Sequence, residues 1–198
     1  MAATFDAPAP SSVPDTRWRT RDIVIAAVIG VAFAVVFWAW SLVWNGPLAI
    51  LSTFALPVRD LGYAVWLIPV VLAPLIIRKP GAAIFAEMVA AGLSALLGSV
   101  WGPEVLLAGF VQGAAAEVVF GFTRYRMWSF PVLALAALAS AAAAWVLDWV
   151  VYYPTIDPAI QVIRLGLMAI SAVVIVAGGS VALYRSLRTA GVLEGFPG

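Results

Sequence analysis

Hydrophobic positions form six long runs along the chain, and polar residues collect between the runs. An α-helix needs about 20 mostly apolar residues to cross a lipid bilayer, and most of the runs approach that length. Pro69 and Pro74 fall inside the second run and are expected to kink it. The pattern predicts an all-α protein, a bundle of six transmembrane helices. The predicted helices cover residues 22–44, 60–77, 82–97, 104–122, 131–151 and 159–184.

The segment between the first two predicted helices, residues 45–59, is too short and too broken to cross the bilayer, since it carries Gly46, Pro47 and Pro57. We expect it to form a re-entrant or capping loop. Residues 1–16 are rich in Pro, Ala and Ser and are expected to form a disordered cytoplasmic tail. Residues 17–188 are then a single transmembrane domain, and residues 189–198 form a short cytoplasmic tail.

The basic residues predict the orientation of the bundle. In the six-helix arrangement only Arg59 and Arg164 fall on one side of the membrane, and the other basic residues fall on the opposite side. Cytoplasmic loops carry the excess of Lys and Arg in membrane proteins. Both termini are therefore expected in the cytoplasm. The residues on the predicted inner side are Arg17, Arg19, Arg21, Arg78, Lys79, Arg124, Arg126, Arg185 and Arg188.

The composition supports a membrane location and narrows the possible chemistry. Of the 198 residues, 64% are hydrophobic and 11% are charged, whereas soluble domains are nearer 45–50% and 25%. The net charge of +1 gives no sign of a nucleic-acid partner. The chain has no His and no Cys, which are the side chains most used for metal binding and nucleophilic catalysis. We expect no catalytic residue, no metal site and no cofactor.

Two carboxylates, Glu87 and Glu117, lie inside apolar runs. They are expected roughly 13 and 10 Å from the inner boundary of the membrane. A charge at such a depth costs at least about 2.5–3.5 kcal/mol, so both side chains should face the protein interior. Either they are structural, bonded to neighbouring polar groups or to each other, or at least one accepts hydrogen bonds from a ligand. Gln112 lies about 140° around the helix from Glu117 and nearer the outer side, so it is better placed to reach a pocket.

Aromatic residues surround a third carboxylate, Asp148, at the predicted outer end. One interpretation is an interfacial belt, in which Trp and Tyr anchor the helices at the membrane surface. The other is a box of rings that stacks on a flat ligand, either neutral or cationic. On the second interpretation, Trp101 is part of the entrance. The aromatic candidates for ligand binding are Trp38, Trp44, Trp101, Trp145 and Tyr152.

Small residues recur every four positions along the first predicted helix, at Ala26, Gly30 and Ala34. Such a ridge lets another helix approach closely. It serves either internal packing or the docking of another membrane protein.

Several blocks of the chain resemble the YkoE-type substrate-binding subunit of energy-coupling factor (ECF) transporters, over residues 18–148. The blocks are WRTRDIVIAAVIGVAFAVVFWAW, IIRKPGAAIFAEMVAA, LLGSVWG, QGAAAEVVF and RYRMW. The resemblance implies a multi-pass protein of a prokaryotic plasma membrane, surrounded by lipid, with six helices and no enzymatic activity. It implies capture of thiamin or its hydroxymethylpyrimidine precursor at the outer face.

The same resemblance implies partners, because the chain has no nucleotide-binding P-loop of its own. These are a coupling transmembrane subunit, the T component, and cytoplasmic ATPase subunits, with the ridge of Ala26, Gly30 and Ala34 as the docking surface. Two alternatives remain open. One is a membrane scaffold or assembly subunit without a ligand. The other is a small lipid-modifying enzyme, which the missing His and Cys disfavour.

Overall fold

The computed structural model describes residues 16–194, and every regular element within that range is helical. The all-α prediction is therefore confirmed. The predicted tails fall almost wholly outside the described residues at the N-terminus and partly outside at the C-terminus. The α-helices are α1 (Thr20–Asn45), α2 (Pro47–Ala55), α3 (Ile68–Ile77), α4 (Ala82–Leu96), α5 (Val105–Phe122), α6 (Phe130–Val151), α7 (Pro158–Ser171) and α8 (Gly179–Thr189).

Five helical stretches in the described part of the chain are long and apolar enough to cross a membrane. The third predicted span, residues 82–97, corresponds to α4, which is apolar but shorter, at 15 residues. The long stretches are Thr20–Ile50, Pro57–Ile77, Gly102–Phe122, Phe130–Val151 and Pro158–Thr189. The six apolar runs of the sequence thus correspond to the principal helices of the bundle.

The segment after α1, residues 45–59, was expected to form a re-entrant or capping loop, but it is mostly helical. It forms helix α2, followed by a 3-10 helix over Leu56–Leu67 that leads into α3. Pro47 is the first residue of α2. Proline is tolerated there, because the first backbone N–H of a helix has no partner within the helix. The second predicted span is therefore part 3-10 helix and part α-helix.

Helix α3 is the centre of the hydrophobic core. Every residue from Pro69 to Ile77 is buried, and α3 packs against α1, α4, α6 and α8. A helix that is hydrophobic on all sides either faces lipid or is enclosed by other elements, and α3 is enclosed. Helix α3 ends at Arg78, which has the left-handed conformation (φ 56°) and donates its N–H to the Pro74 carbonyl.

Helices α4 and α5 form a hairpin whose backbones lie very close together. A Cβ atom built on Gly113 would lie 2.8 Å from the Ile84 Cα atom, and one on Gly109 would lie 3.0 Å from the Ala91 Cβ atom. Glycines four positions apart allow this approach, because a larger side chain would separate the helices. The close contact brings Glu87 on α4 and Gln112 on α5 to the same cavity.

The ridge of Ala26, Gly30 and Ala34 is buried inside the bundle rather than presented to a partner. Ala26 and Ala34 are 0% and 1% exposed. A Cβ atom on Gly30 would lie 2.6 Å from the Val89 Cβ atom on α4. The ridge therefore packs internally, and in this conformation it is not available as a docking surface. This arrangement favours the internal-packing interpretation over the docking interpretation.

The last membrane-crossing stretch is not a regular α-helix. Helix α7 runs into a π-helical segment, Ala172–Gly178, which continues directly into α8. The segment packs against α6 and α7. No loop therefore separates α7, which carries the buried Arg164, from α8.

Candidate functional site

A cavity opens between α1, the 3-10 helix, α4, α5 and the end of α6. It encloses about 670 Å³ of empty space, which includes its open mouth. Its walls combine aromatic rings, small residues and a few carboxylate, amide and hydroxyl groups, the composition expected for an organic ligand. The lining residues are Phe37, Ser41, Trp44, Tyr63, Trp66, Glu87, Ala91, Ser94, Ser99, Trp101, Val105, Ala108, Gly109, Gln112, Asp148, Tyr152 and Tyr153.

One wall of the cavity is a cluster of three rings. The Trp44 and Trp66 ring centroids are 4.7 Å apart, and Tyr63 lies 5.9 Å from Trp44 and 5.3 Å from Trp66. All three pairs meet edge to face, the arrangement that aromatic quadrupoles favour. The rings therefore hold one another in place and offer a rigid wall to a flat ligand.

A second pair of rings lies where the α4–α5 turn meets the end of α6. Trp101 and Tyr152 have centroids 5.4 Å apart, and the Tyr152 hydroxyl donates to Glu104 Oε2 at 3.2 Å. Burial and this hydrogen bond raise the pKa of Tyr152 to about 12. The hydroxyl therefore stays protonated at neutral pH and continues to donate. The contact ties the two segments together at the rim.

Glu87, in the cavity wall, carries a buried polar atom without a hydrogen-bond partner in the described part of the chain. The residue is 1% exposed, and its Oε2 atom has no hydrogen-bond partner among residues 16–194. Buried polar atoms are almost always hydrogen-bonded, because leaving one unpaired costs about 1–3 kcal/mol or more. A ligand with an N–H or O–H donor would remove this cost. Glu87 is therefore the strongest candidate for a direct ligand contact.

A group of buried charges lies beside the cavity wall. Arg164 is 0% exposed. Its Nε atom lies 2.7 Å from Asp60 Oδ2, and its Nη2 atom lies 3.5 Å from Asp148 Oδ2. The guanidinium also lies over the Tyr153 ring, 4.1 Å from the centroid. A buried cation needs such partners, because desolvation alone would exclude it. The arrangement leaves Asp148 in the cavity wall as a paired carboxylate.

A second arginine, Arg59, joins the two aromatic regions. Its guanidinium lies 4.4 Å from the centre of a Trp44 ring and donates a hydrogen bond to the Tyr153 hydroxyl. Both contacted side chains line the cavity. Arg59 therefore fixes the positions of rings from two distant parts of the chain.

Comparisons with known proteins agree on one family. Residues 21–143 match the sequence model of a family described as "ABC-type cobalt transport system, permease component". The YkoE protein of Bacillus subtilis (strain 168), whose name places it among HMP/thiamine permeases, is 37% identical over 179 residues, which cover 90% of this chain and 88% of that protein. A crystal structure of an S-component of an ECF transporter superposes with a TM-score of 0.84 and 37% identity over 90% of each chain. The chain belongs to the S-component family of ECF transporters.

The membership confirms the resemblance seen in the blocks of sequence. S-components are multi-pass membrane proteins that bind substrate and are not enzymes, so the predictions of class and membrane location are confirmed as well. The family of the protein does not by itself say which of its side chains touch a ligand. That question depends on the geometry of this S-component.

The structure brings most of the predicted site residues of this S-component to the cavity and places three elsewhere. The residues that line the cavity are Trp44, Glu87, Trp101, Gln112, Asp148 and Tyr152. Trp38 and Trp145 are half-buried and do not line it. The Trp145 indole donates to the Gln161 carbonyl at 2.9 Å and packs against Trp149 at 4.9 Å. Its contacts are those of an internal packing residue.

Glu117 is the third predicted site residue outside the cavity. Its Oε1 atom accepts a hydrogen bond from the Ala83 N–H at 2.7 Å, in the first turn of α4. Its Oε2 atom accepts from the Tyr125 hydroxyl at 2.6 Å. Burial and this hydrogen bond to Glu117 raise the pKa of Tyr125, so the hydroxyl remains a donor. The geometry favours the structural interpretation for Glu117.

Sequence reasoning did not select several residues that shape the site: Arg59, Asp60, Tyr63, Trp66, Tyr153 and Arg164. One signal could have found two of them. Arg59 and Arg164 are the two basic residues on the predicted outer side, and both are buried, at 8% and 0% exposed. Basic residues are expected mainly on the cytoplasmic side of the membrane. A basic residue that lies on the other side and next to apolar sequence predicts an acidic partner inside the protein.

Proposed function

We propose that this S-component captures an aminopyrimidine, either hydroxymethylpyrimidine or thiamin, in the aromatic cavity. The observation that carries the proposal is that Glu87 lines that cavity and has a buried carboxyl oxygen, Oε2, without a partner among residues 16–194. The name of the Bacillus subtilis relative supports the same ligand class.

The chemistry of an aminopyrimidine matches the groups on the cavity walls. Its flat ring packs against the faces and edges of Trp44, Trp66 and Tyr63, and burial of the ring favours binding. Its exocyclic amino group donates hydrogen bonds, which the Glu87 carboxylate accepts. Thiamin adds a cationic thiazolium, which the rings at Trp101 and Tyr152 attract through their negative faces.

The description of the matching family suggests cobalt as a second candidate, but the side chains of this chain favour an organic ligand. The whole sequence has no His and no Cys, the ligands that later transition metals prefer. Residues 16–194 contain no group of three or more acidic side chains able to hold a metal ion. Asp60 and Asp148 both contact Arg164. Glu87 is then the one carboxyl group among the described residues of the cavity lining that is not paired with Arg164. A single carboxylate supplies too few ligands to hold a cobalt ion.

The proposal includes a transport cycle that depends on partners. The ligand enters at the outer face, where the aromatic residues lie, and the S-component reorients in the membrane when cytoplasmic ATPases act through a coupling T component. Both termini then lie in the cytoplasm, surrounded by the basic loops. Burial of Arg59 and Arg164 supports this orientation, because the two exceptions to the charge rule face the protein interior.

Isothermal titration calorimetry on the purified protein in lipid nanodiscs tests the ligand. We expect saturable binding of hydroxymethylpyrimidine or thiamin with a dissociation constant on the order of micromolar or lower, about 8 kcal/mol of binding free energy. Cobalt(II) chloride serves as the competing probe and should give no specific heat. If cobalt binds and neither organic compound does, the proposal is wrong. If no compound binds, the scaffold alternative is favoured.

A further inference from the structure

A chain of polar contacts runs from the buried Arg164 to the cavity. Arg164 Nη2 lies 3.5 Å from Asp148 Oδ2. The other Asp148 oxygen, Oδ1, accepts a hydrogen bond from the Tyr63 hydroxyl at 3.3 Å. The Tyr63 oxygen in turn accepts from Gln112 Nε2 at 3.2 Å. Asp148, Tyr63 and Gln112 all line the cavity, and all three are buried, at 6%, 6% and 3% exposed.

Each contact in this chain dictates the direction of the next. In its ionised form, paired with Arg164, Asp148 can only accept hydrogen bonds. The single hydroxyl proton of Tyr63 must therefore point to Asp148, which leaves only the Tyr63 oxygen for Gln112. Because that oxygen can only accept, Gln112 must turn its amide NH₂ group towards Tyr63. The opposite amide orientation would bring two oxygen atoms together with no proton between them.

The amide orientation decides what Gln112 offers to a ligand. Its NH₂ group is directed to Tyr63. Its backbone carbonyl accepts from the Ser140 hydroxyl at 2.8 Å. The side-chain carbonyl, Oε1, has no hydrogen-bond partner assigned among residues 16–194. The cavity thus holds two acceptor groups, the Gln112 carbonyl and the Glu87 carboxylate.

We propose that Arg164, Asp148 and Tyr63 act as positioning residues that hold Gln112 as an acceptor, so that the cavity selects a ring amine over the corresponding ring carbonyl. The inference rests on the proposed function and specifies its substrate class. An amino group supplies two protons to acceptors. A ring carbonyl at the same position would face acceptor oxygens and leave them unpaired, which is the strongest form of discrimination that a binding site makes.

The test compares two neutral compounds that differ at one position. These are 4-amino-5-hydroxymethyl-2-methylpyrimidine and its 4-oxo counterpart, titrated at mildly alkaline pH, where both rings are uncharged. For the wild-type protein in nanodiscs we expect the amino compound to bind at least about tenfold more tightly, the effect of one unpaired buried group. The measured quantity is the ratio of the two dissociation constants, which a general loss of stability would not change.

Two variants should change that ratio in different ways. Asp148→Asn preserves the shape but can donate to the Tyr63 oxygen. Tyr63 then donates to Gln112, the amide turns over, and the preference shifts towards the oxo compound. Tyr63→Phe removes the constraint, and the ratio should fall to within about threefold of unity because the amide can turn either way. Tyr125→Phe is the matched control, since it removes a hydroxyl bonded to Glu117 outside the cavity and should keep the wild-type ratio.

The outcomes separate this inference from the proposed function. If the wild-type protein binds neither compound, the proposed function is wrong. If it binds both equally well, the proposed function stands and the positioning role of the chain of contacts is wrong. The same conclusion follows if either folded variant, Asp148→Asn or Tyr63→Phe, retains the wild-type ratio. Should Asp148→Asn fail to fold, Tyr63→Phe and the wild-type ratio still decide the question.

Discussion

At the scale of single residues, Glu87 and Glu117 show what sequence reasoning can and cannot separate. Both are carboxylates in apolar helices, and the helical period correctly requires that both face the interior. Their difference comes from donors that approach in three dimensions. Glu117 accepts from Ala83 and Tyr125, whereas Glu87 Oε2 has no partner in the described part of the chain. No local pattern shows that Tyr125 turns back towards Glu117 through a left-handed backbone conformation (φ 56°).

Replacing Glu117 should weaken the fold and spare binding. Glu117→Leu removes both acceptor oxygens, including the one to which Tyr125 donates, and leaves buried donors unpaired at a cost of about 1–3 kcal/mol. We expect a lower apparent melting temperature in detergent with an unchanged dissociation constant for hydroxymethylpyrimidine. Tyr125→Phe removes the same bond from the other side, and the double variant should add little. Unchanged stability, or lost affinity in a folded variant, would contradict the structural role.

At the scale of elements, the long apolar helices could be predicted almost to their ends, and the irregular segments could not. Residues 131–151 were predicted as a helix, and α6 is Phe130–Val151. A membrane helix is apolar on most sides, so a change from α-helix to 3-10 or π-helix leaves hardly any trace in the pattern. The 3-10 helix Leu56–Leu67 and the π segment Ala172–Gly178 were missed for this reason.

The contact between α1 and α4 predicts the effect of a single methyl group. In Gly30→Ala the new Cβ atom would lie 2.6 Å from the Val89 Cβ atom and 3.0 Å from the Ala86 carbonyl oxygen. The helices must separate, at a cost of about 1–3 kcal/mol. We expect a lower melting temperature and weaker ligand binding together. Gly121→Ala is the control, since its Cβ atom would meet nothing within 4 Å.

The same substitution distinguishes two roles for the ridge on α1. A docking ridge predicts that Gly30→Ala leaves ligand binding and stability of the isolated protein intact and abolishes only transport. Internal packing predicts loss of stability in the isolated protein. Retention of the wild-type melting temperature would therefore refute the packing account.

At the scale of the whole molecule, the cavity depends on groups that are far apart in sequence. Tyr63 meets Asp148 and Gln112, and Arg164 meets Asp60, 104 positions away. Sequence spacing can show which face of one helix a residue shares, but it cannot show which helices become neighbours. The aromatic outer ends were found by composition, whereas the chain of polar contacts required the assembled bundle.

The orientation of the molecule can be measured directly, because the natural chain has no Cys. Thr155→Cys and Ser129→Cys place single thiols at exposed positions in turns between helices at opposite predicted sides. In intact cells a membrane-impermeant maleimide should label Thr155→Cys and should reach Ser129→Cys only after permeabilisation. The opposite labelling pattern would invert the orientation and place the aromatic cavity at the cytoplasmic side.

The central claim is that Glu87 accepts a hydrogen bond from the ligand inside the cavity. Calorimetric titration of Glu87→Gln with hydroxymethylpyrimidine tests it most directly, beside wild-type protein and Glu117→Gln under identical conditions. The account predicts that affinity falls at least about tenfold for Glu87→Gln, the cost of weakening one buried hydrogen bond to the ligand, with no loss of melting temperature. Wild-type affinity in folded Glu87→Gln would contradict it.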